Sequence, residues 1–167
     1  YLNEDRINII IVGKLWQKRK RHPDLLDAVD QLSDEYDIKL TIVGSLQEHK
    51  SASWLHDCID SRDMNDQVEV LQNLPYPVLQ DLYFEHDLFV LPSEDEPAAV
   101  SILEAMAHGL PVISSDDNGT QWYVDEGENG YVFETGNVDD LRDKIESMTH
   151  DEETISRMGK RSYELAA

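Results

Sequence analysis

The sequence predicts an α/β fold: a doubly wound, Rossmann-like parallel sheet of about six strands with helices on both faces. Three observations predict it. Short apolar runs rich in β-branched residues alternate with amphipathic stretches from end to end. The runs are continuous rather than alternating, the pattern of strands covered on both sides. No linker and no fixed-period repeat interrupts them, so helical crossovers must join the strands, which calls for parallel pairing.

The elements follow in order. Ile7–Val12 is a buried strand ended by Gly13, and Pro23 to Leu32 a helix with Leu25, Leu26, Val29 and Leu32 on one face. Lys39–Val43 is the second strand, ended by Gly44, with a helix over Ala52–Ile59 and a short strand over Val68–Leu71. Pro77 suits the first turn of a helix carrying Leu79, Leu82 and Tyr83. Leu88–Leu91 is the fourth strand; a helix follows over Val100–Ala107, with Gly109 as its left-handed cap. Pro111–Ser114 and Tyr131–Phe133 are the last strands. Asn137 caps a helix over Val138–Met148, and Asp151 caps a final one running to Ala167.

Composition narrows the class. The 167 residues suffice for one α/β domain and not for two. No apolar run approaches the length of a membrane span and no signal peptide opens the chain, so a soluble, cytoplasmic protein is expected. The lone Cys58 excludes an intrachain disulfide and argues against a cysteine-based zinc site. Six scattered histidines show no metal spacing. A net charge of −21 repels nucleic acid and anionic surfaces over most of the molecule. Against it stands one basic island: Lys14, Lys18, Arg19, Lys20 and Arg21 are five of the 14 basic residues, and no acid lies between Arg6 and Asp24.

In a doubly wound sheet of order 3-2-1-4-5-6, ligands bind where the order reverses, at the carboxyl ends of the first and fourth strands. The loops after Val12 and Leu91 are therefore the candidate site. The first holds the basic island ahead of a helix, an arrangement that suits a phosphate; a solvated loop that merely offsets acidic neighbours is the alternative. It contains neither GxxxxGK[ST] nor GxGxxG. The second loop carries Glu96, and the helix after it carries Glu104. Ionised carboxylates accept hydrogen bonds and so suit sugar hydroxyls, while the helix start near Ala99 offers free N–H groups to a phosphate. The alternative is a helix-entry Glu96 and a surface Glu104, although Glu104 sits in the apolar stretch Ile102–Ala107, where a carboxylate needs a partner. Asp116 and Asp117 would repel a diphosphate and take a loop or cap role; Trp16 anchors the basic loop, and Trp122 and Tyr123 read as core.

The stretch Pro92-Ser93-x-x-Glu96-x7-Glu104-Ala105-Met106-Ala107-x-Gly109-x-Pro111-Val112-Ile113 resembles the donor-site signature of family 4 glycosyltransferases, the large retaining GT-B group. Gly13-Lys14 with Lys20 resembles that family's basic loop, and Asn118-Gly119 with Gly130–Phe133 its sheet-closing segment, so the resemblance covers nearly the whole chain. It implies the C-terminal donor-binding half of a GT-B enzyme, with the N-terminal acceptor domain absent from this chain. Lys14 and Lys20 would hold the diphosphate of a UDP- or GDP-sugar, Glu96 would contact the sugar and Glu104 the ribose. Val70 and Leu71 would flank the base, and Gly13, Ala98, Ala99 and Val100 would complete the donor set. It implies no metal or other cofactor, no nucleic acid, and an acceptor sugar or lipid-linked glycan reached through the missing domain. It also implies a role in polysaccharide or glycolipid synthesis, with peripheral association of the full-length enzyme at the inner face of a membrane. The isolated domain would transfer little. Pro97-Ala98-Ala99 departs from the glycine-rich, aromatic residues common in the family, and Pro97 lacks the N–H of one backbone contact. A non-catalytic nucleotide-binding or assembly module, and a GT-B sugar-nucleotide epimerase, remain as alternatives.

Overall fold

The computed structural model describes residues 6–97 and 99–167. Its six-stranded parallel sheet has the order β3-β2-β1-β4-β5-β6. The strands are β1 (Ile7–Lys14), β2 (Ile38–Ser45), β3 (Val68–Gln72), β4 (Leu88–Leu91), β5 (Val112–Ser115) and β6 (Gly130–Phe133). Among the described residues six α-helices connect and cover them: α1 (His22–Leu32), α2 (Ser53–Asp60), α3 (Tyr76–Glu85), α4 (Val100–Ala107), α5 (Val138–Thr149) and α6 (Glu152–Ala166).

Successive strand residues point to opposite faces, and the core divides accordingly. Ile9, Ile11, Leu40, Ile42, Val90 and Ile113 pack with buried side chains of α1, α2 and α5. Ile10, Val43, Phe89, Leu91 and Val112 pack with Tyr83 of α3 and with Ile102, Ala105 and Met106 of α4. Both faces of the central strands are largely apolar and covered, which accounts for the hydrophobic runs in the sequence, while the edge strands β3 and β6 are partly exposed.

The caps act as the sequence suggests. The Asn137 side chain accepts from Asp140 N–H, that of Asp151 accepts from Thr154 N–H, and Gly109 sits at φ 79 after α4. Three expectations are corrected. β1 and β2 do not stop at Gly13 and Gly44 but run on to Lys14 and Ser45, because these glycines pair with each other. A Cβ on Gly44 would lie 1.7 Å from Gly13 O, so the missing side chain is what keeps the two strands together to their ends. Trp122 and Tyr123 are not core: they lie in a 3-10 segment (Gly119–Tyr123) and are 83% and 40% exposed. The buried anchor of the basic loop is Leu15; the Trp16 ring instead lies beneath Lys50 Nζ, 4.6 Å from its centroid.

Candidate functional site

Loops at the carboxyl ends of β1 to β4 enclose a cavity of about 460 Å3, at the place where the strand order reverses. Its size and position are those of a small-ligand site in this architecture. Gly13, Lys14, Gln17, Arg19 and Lys20 come from the first loop, and Glu96, Ala99, Val100 and Ser101 from the fourth. Gly44 and Ser45 at the end of β2, with Asn73 and Leu74 after β3, form the opposite wall.

A 3-10 turn (Lys18–Lys20) shapes the basic loop, and Arg21 ends it in the left-handed conformation at φ 55 before α1 begins. This reversal turns Lys20 inward. Its ammonium is buried, 2.5 Å from Glu96 Oε2, and Arg19 Nη1 reaches the same oxygen at 3.0 Å. Burying an ion pair is costly unless every charge is matched; here one buried carboxylate is matched by two cations, which leaves a net positive charge facing the cavity.

Further bonds fasten the two loops. Glu94 N–H donates to Arg19 O at 2.9 Å, and Arg19 Nη1 donates to Asp95 O at 3.3 Å. Arg21 donates to Asp24 and to Glu94, and these carboxylates raise its already high pKa. Ser101 Oγ donates to Val12 O at 3.3 Å, pinning the start of α4 against the end of β1. The unpaired N–H groups of α4's first turn thus lie beside the two cations, a second source of positive potential.

His22 is buried directly behind this cluster. Burial, with the charge of Lys20 added, pushes its pKa down to about 4, so the imidazole is neutral. Neither ring nitrogen has a hydrogen-bond partner.

The structure separates the sequence-derived residues. Lys20 and Glu96 are in contact, while Gly13, Lys14, Ala99 and Val100 share their cavity. Lys14 is exposed on the rim, and the second cation on Glu96 is Arg19, which sequence reasoning did not single out. Val70 and Leu71 lie within β3, and the cavity wall beyond them is Asn73 and Leu74. Glu104 does not line the cavity. Its partner is Tyr83, whose hydroxyl donates at 3.2 Å, and burial together with this carboxylate raises the phenol's pKa. Ala98 lies outside the described residues. Asp116 and Asp117 hold loops: Asp116 accepts from Thr135 Oγ1 at 2.7 Å and N–H at 2.9 Å, bonds that lower its pKa, and Asp117 accepts from Asp95 N–H at 3.0 Å. Among the described residues no group of three His, Cys, Asp or Glu side chains could hold a metal, and no helix is long and apolar enough to cross a membrane.

Comparison with known proteins places this architecture. The family profile "Glycosyl transferases group 1" matches residues 2–165. The chain is 28% identical over 171 residues to the capsular polysaccharide biosynthesis glycosyltransferase CapM of Staphylococcus aureus, covering 98% of this chain and 43% of that protein. Among solved structures, a sucrose-phosphate synthase of Thermosynechococcus elongatus superposes with a TM-score of 0.90 at 25% identity, covering 99% of this chain and 41% of that one. Anabaena HepE, solved in complex with UDP and glucose, superposes with a TM-score of 0.86 at 22% identity, covering 97% and 44%. The chain thus spans less than half the length of these proteins. With the profile matched along almost its entire length, the chain belongs to the glycosyl transferases group 1 family.

Proposed function

We propose that this chain is the donor-binding half of a retaining, metal-independent glycosyltransferase that takes a nucleoside diphosphate sugar. The observation that carries the reading is the meeting of Arg19 and Lys20 from the first loop with Glu96 from the fourth, beside the start of α4, in one cavity at the strand-order reversal. A diphosphate placed there faces Lys20, Arg19 and Lys14, with the N–H groups of α4 behind it. Breaking the anomeric bond concentrates negative charge on the leaving diphosphate, so fixed cations stabilise the transition state more than the ground state. They do for the leaving group what a divalent ion does elsewhere. Glu96, its carboxylate fixed by two cations, accepts from hydroxyls of the transferred sugar.

The base lies toward Ser45, Asn73 and Leu74, the wall opposite the cations. Glu104, held by Tyr83, sits one helical turn beyond Ser101 and serves the ribose. The likeness to HepE, whose complex holds UDP, favours a uridine nucleotide, and the likeness to CapM favours polysaccharide or glycolipid synthesis. The acceptor binds mainly to a second domain outside this chain, and the full-length enzyme works in the cytoplasm at a membrane face.

Titration calorimetry with UDP, GDP and ADP tests the reading. UDP or GDP binds this chain without added metal, and Lys20→Ala weakens binding about tenfold to a hundredfold, the worth of one charge-assisted bond. Glu104→Ala weakens binding by a smaller factor. Failure of all three nucleotides to bind contradicts the proposal and favours an assembly role.

A further inference from the structure

We infer that a second cavity, on the β5 side of Glu96, is a binding site for a neutral carbohydrate, an inference that rests on the sugar-transferring role proposed above. This cavity, of about 520 Å3, opens between the loop after β4 and the loop after β5. Arg19 and Glu96 line both it and the donor cavity, so the Arg19–Glu96 ion pair is the wall between them.

The central feature is Asn118, 3% exposed. Its Oδ1 accepts from Thr120 N–H at 2.9 Å and from Thr120 Oγ1 at 2.6 Å, which fixes the orientation of the amide. Nδ2 is therefore the group left over, and it has no hydrogen-bond partner. Buried unpartnered donors of this kind are rare, and this one belongs to a residue on the cavity's wall.

The surrounding groups define what enters. Arg19 uses one guanidinium nitrogen on Glu96 and Asp95 O, leaving its other N–H groups for a ligand. Asp117 accepts Asp95 N–H through Oδ2 alone, leaving Oδ1 for a ligand, and Gln121 donates Nε2 to Asp116 O, leaving its own carbonyl oxygen. Donors and acceptors thus alternate around the cavity. A phosphate is disfavoured by the three aspartates and a hydrocarbon by the lack of an apolar wall. The described carboxylates form no metal-holding group. Vicinal hydroxyls, each donor and acceptor at once, match the alternation. The site lies across one ion pair from the donor, which suits a saccharide that receives or has just received the transferred unit.

The test is a titration of this chain, followed by 15N–1H spectra, with methyl α-D-glucopyranoside, methyl α-D-mannopyranoside and N-acetyl-D-glucosamine in separate arms, each taken to about 100 mM, since one sugar subsite binds in the millimolar range. At least one sugar gives saturable shifts centred on residues 116–121. Asn118→Asp keeps the acceptor for Thr120 but replaces the free N–H donor with a carboxylate oxygen and its charge; it weakens the sugar at least about tenfold and leaves UDP affinity within about twofold. Gln121→Ala, at a half-buried position in the 3-10 segment, weakens the sugar about threefold. The inference is overturned if none of the sugars gives saturable shifts, if Asn118→Asp binds as well as the parent, or if UDP displaces the sugar, which makes the cavity part of the donor site. A chain that binds UDP but no sugar contradicts this inference alone; one that binds sugar but no nucleotide upholds it and contradicts the donor reading.

Discussion

Two cavities of nearly equal size lie at opposite ends of the same sheet, about 460 Å3 at the carboxyl ends of the strands and about 470 Å3 at the amino ends. They differ in how their charges are held. At the amino ends the cavity is rimmed by Asp34, Glu35 and Asp66, and its ion pair, Arg6–Asp37 at 3.0 Å, leaves both side chains nearly half exposed. At the carboxyl ends Lys20 and Glu96 are buried against each other, Arg19 adds a second cation, and α4 begins alongside. Volume is equal at the two ends; burial of charge, excess cation and helix N–H groups belong to one. Organised electrostatics, rather than space, mark the candidate site.

The largest effect separating the two ends is on stability. Lys20→Ala strips a buried carboxylate of its closest partner, and unfolding in urea falls by about 3–5 kcal/mol, with Arg19 limiting the loss. Arg6→Ala at the other end costs about 1 kcal/mol or less, as solvent screens that pair. Equal costs at the two ends break the comparison.

His22 gives the next effect. Its folded pKa of about 4 lies below the unfolded value of 6.5, so the unfolded chain takes up the proton first. The contribution to stability is fully present above pH 6.5 and is lost as pH falls toward 4. Between pH 7 and 5 the loss from this residue is about 2 kcal/mol, at 1.36 kcal/mol per unit. It is read as the difference in pH slope between the parent and His22→Leu; parallel slopes contradict it.

The smallest effect concerns salt. A chain of net charge −21 repels a nucleoside diphosphate at long range, while the basic loop attracts it nearby. Raising the ionic strength shortens the screening length from about 30 Å at 0.01 M to about 8 Å at 0.15 M. Distant acids are screened more than adjacent cations, so the association rate for UDP rises about threefold over this range, measured by stopped flow. A falling rate shows that the basic island governs approach as well as contact.

The sheet was legible because the central strands carry apolar, β-branched runs and the crossovers leave one economical topology. The strand ends were not, since Gly13 and Gly44 look like terminators when read singly and extend the strands only as a pair. The encounter of Lys20 with Glu96 follows from the expected strand order. The part of Arg19 does not: in a run of four basic residues, which cations turn inward depends on one 3-10 turn and the left-handed Arg21. β3 extends to Gln72, one residue past the expected strand, and the cavity wall beyond it is Asn73 and Leu74 rather than Val70 and Leu71. Tyr83, the partner of Glu104, lies 21 residues away on α3, a packing relation that local patterns do not carry.

The most direct test of the central claim is hydrogen-exchange mapping of this chain with and without saturating UDP. Exchange is expected to slow in residues 13–21 and 96–104 and to stay unchanged in residues 33–39. Protection confined to residues 33–39, or unchanged exchange at both ends of the sheet while UDP is bound, would contradict it.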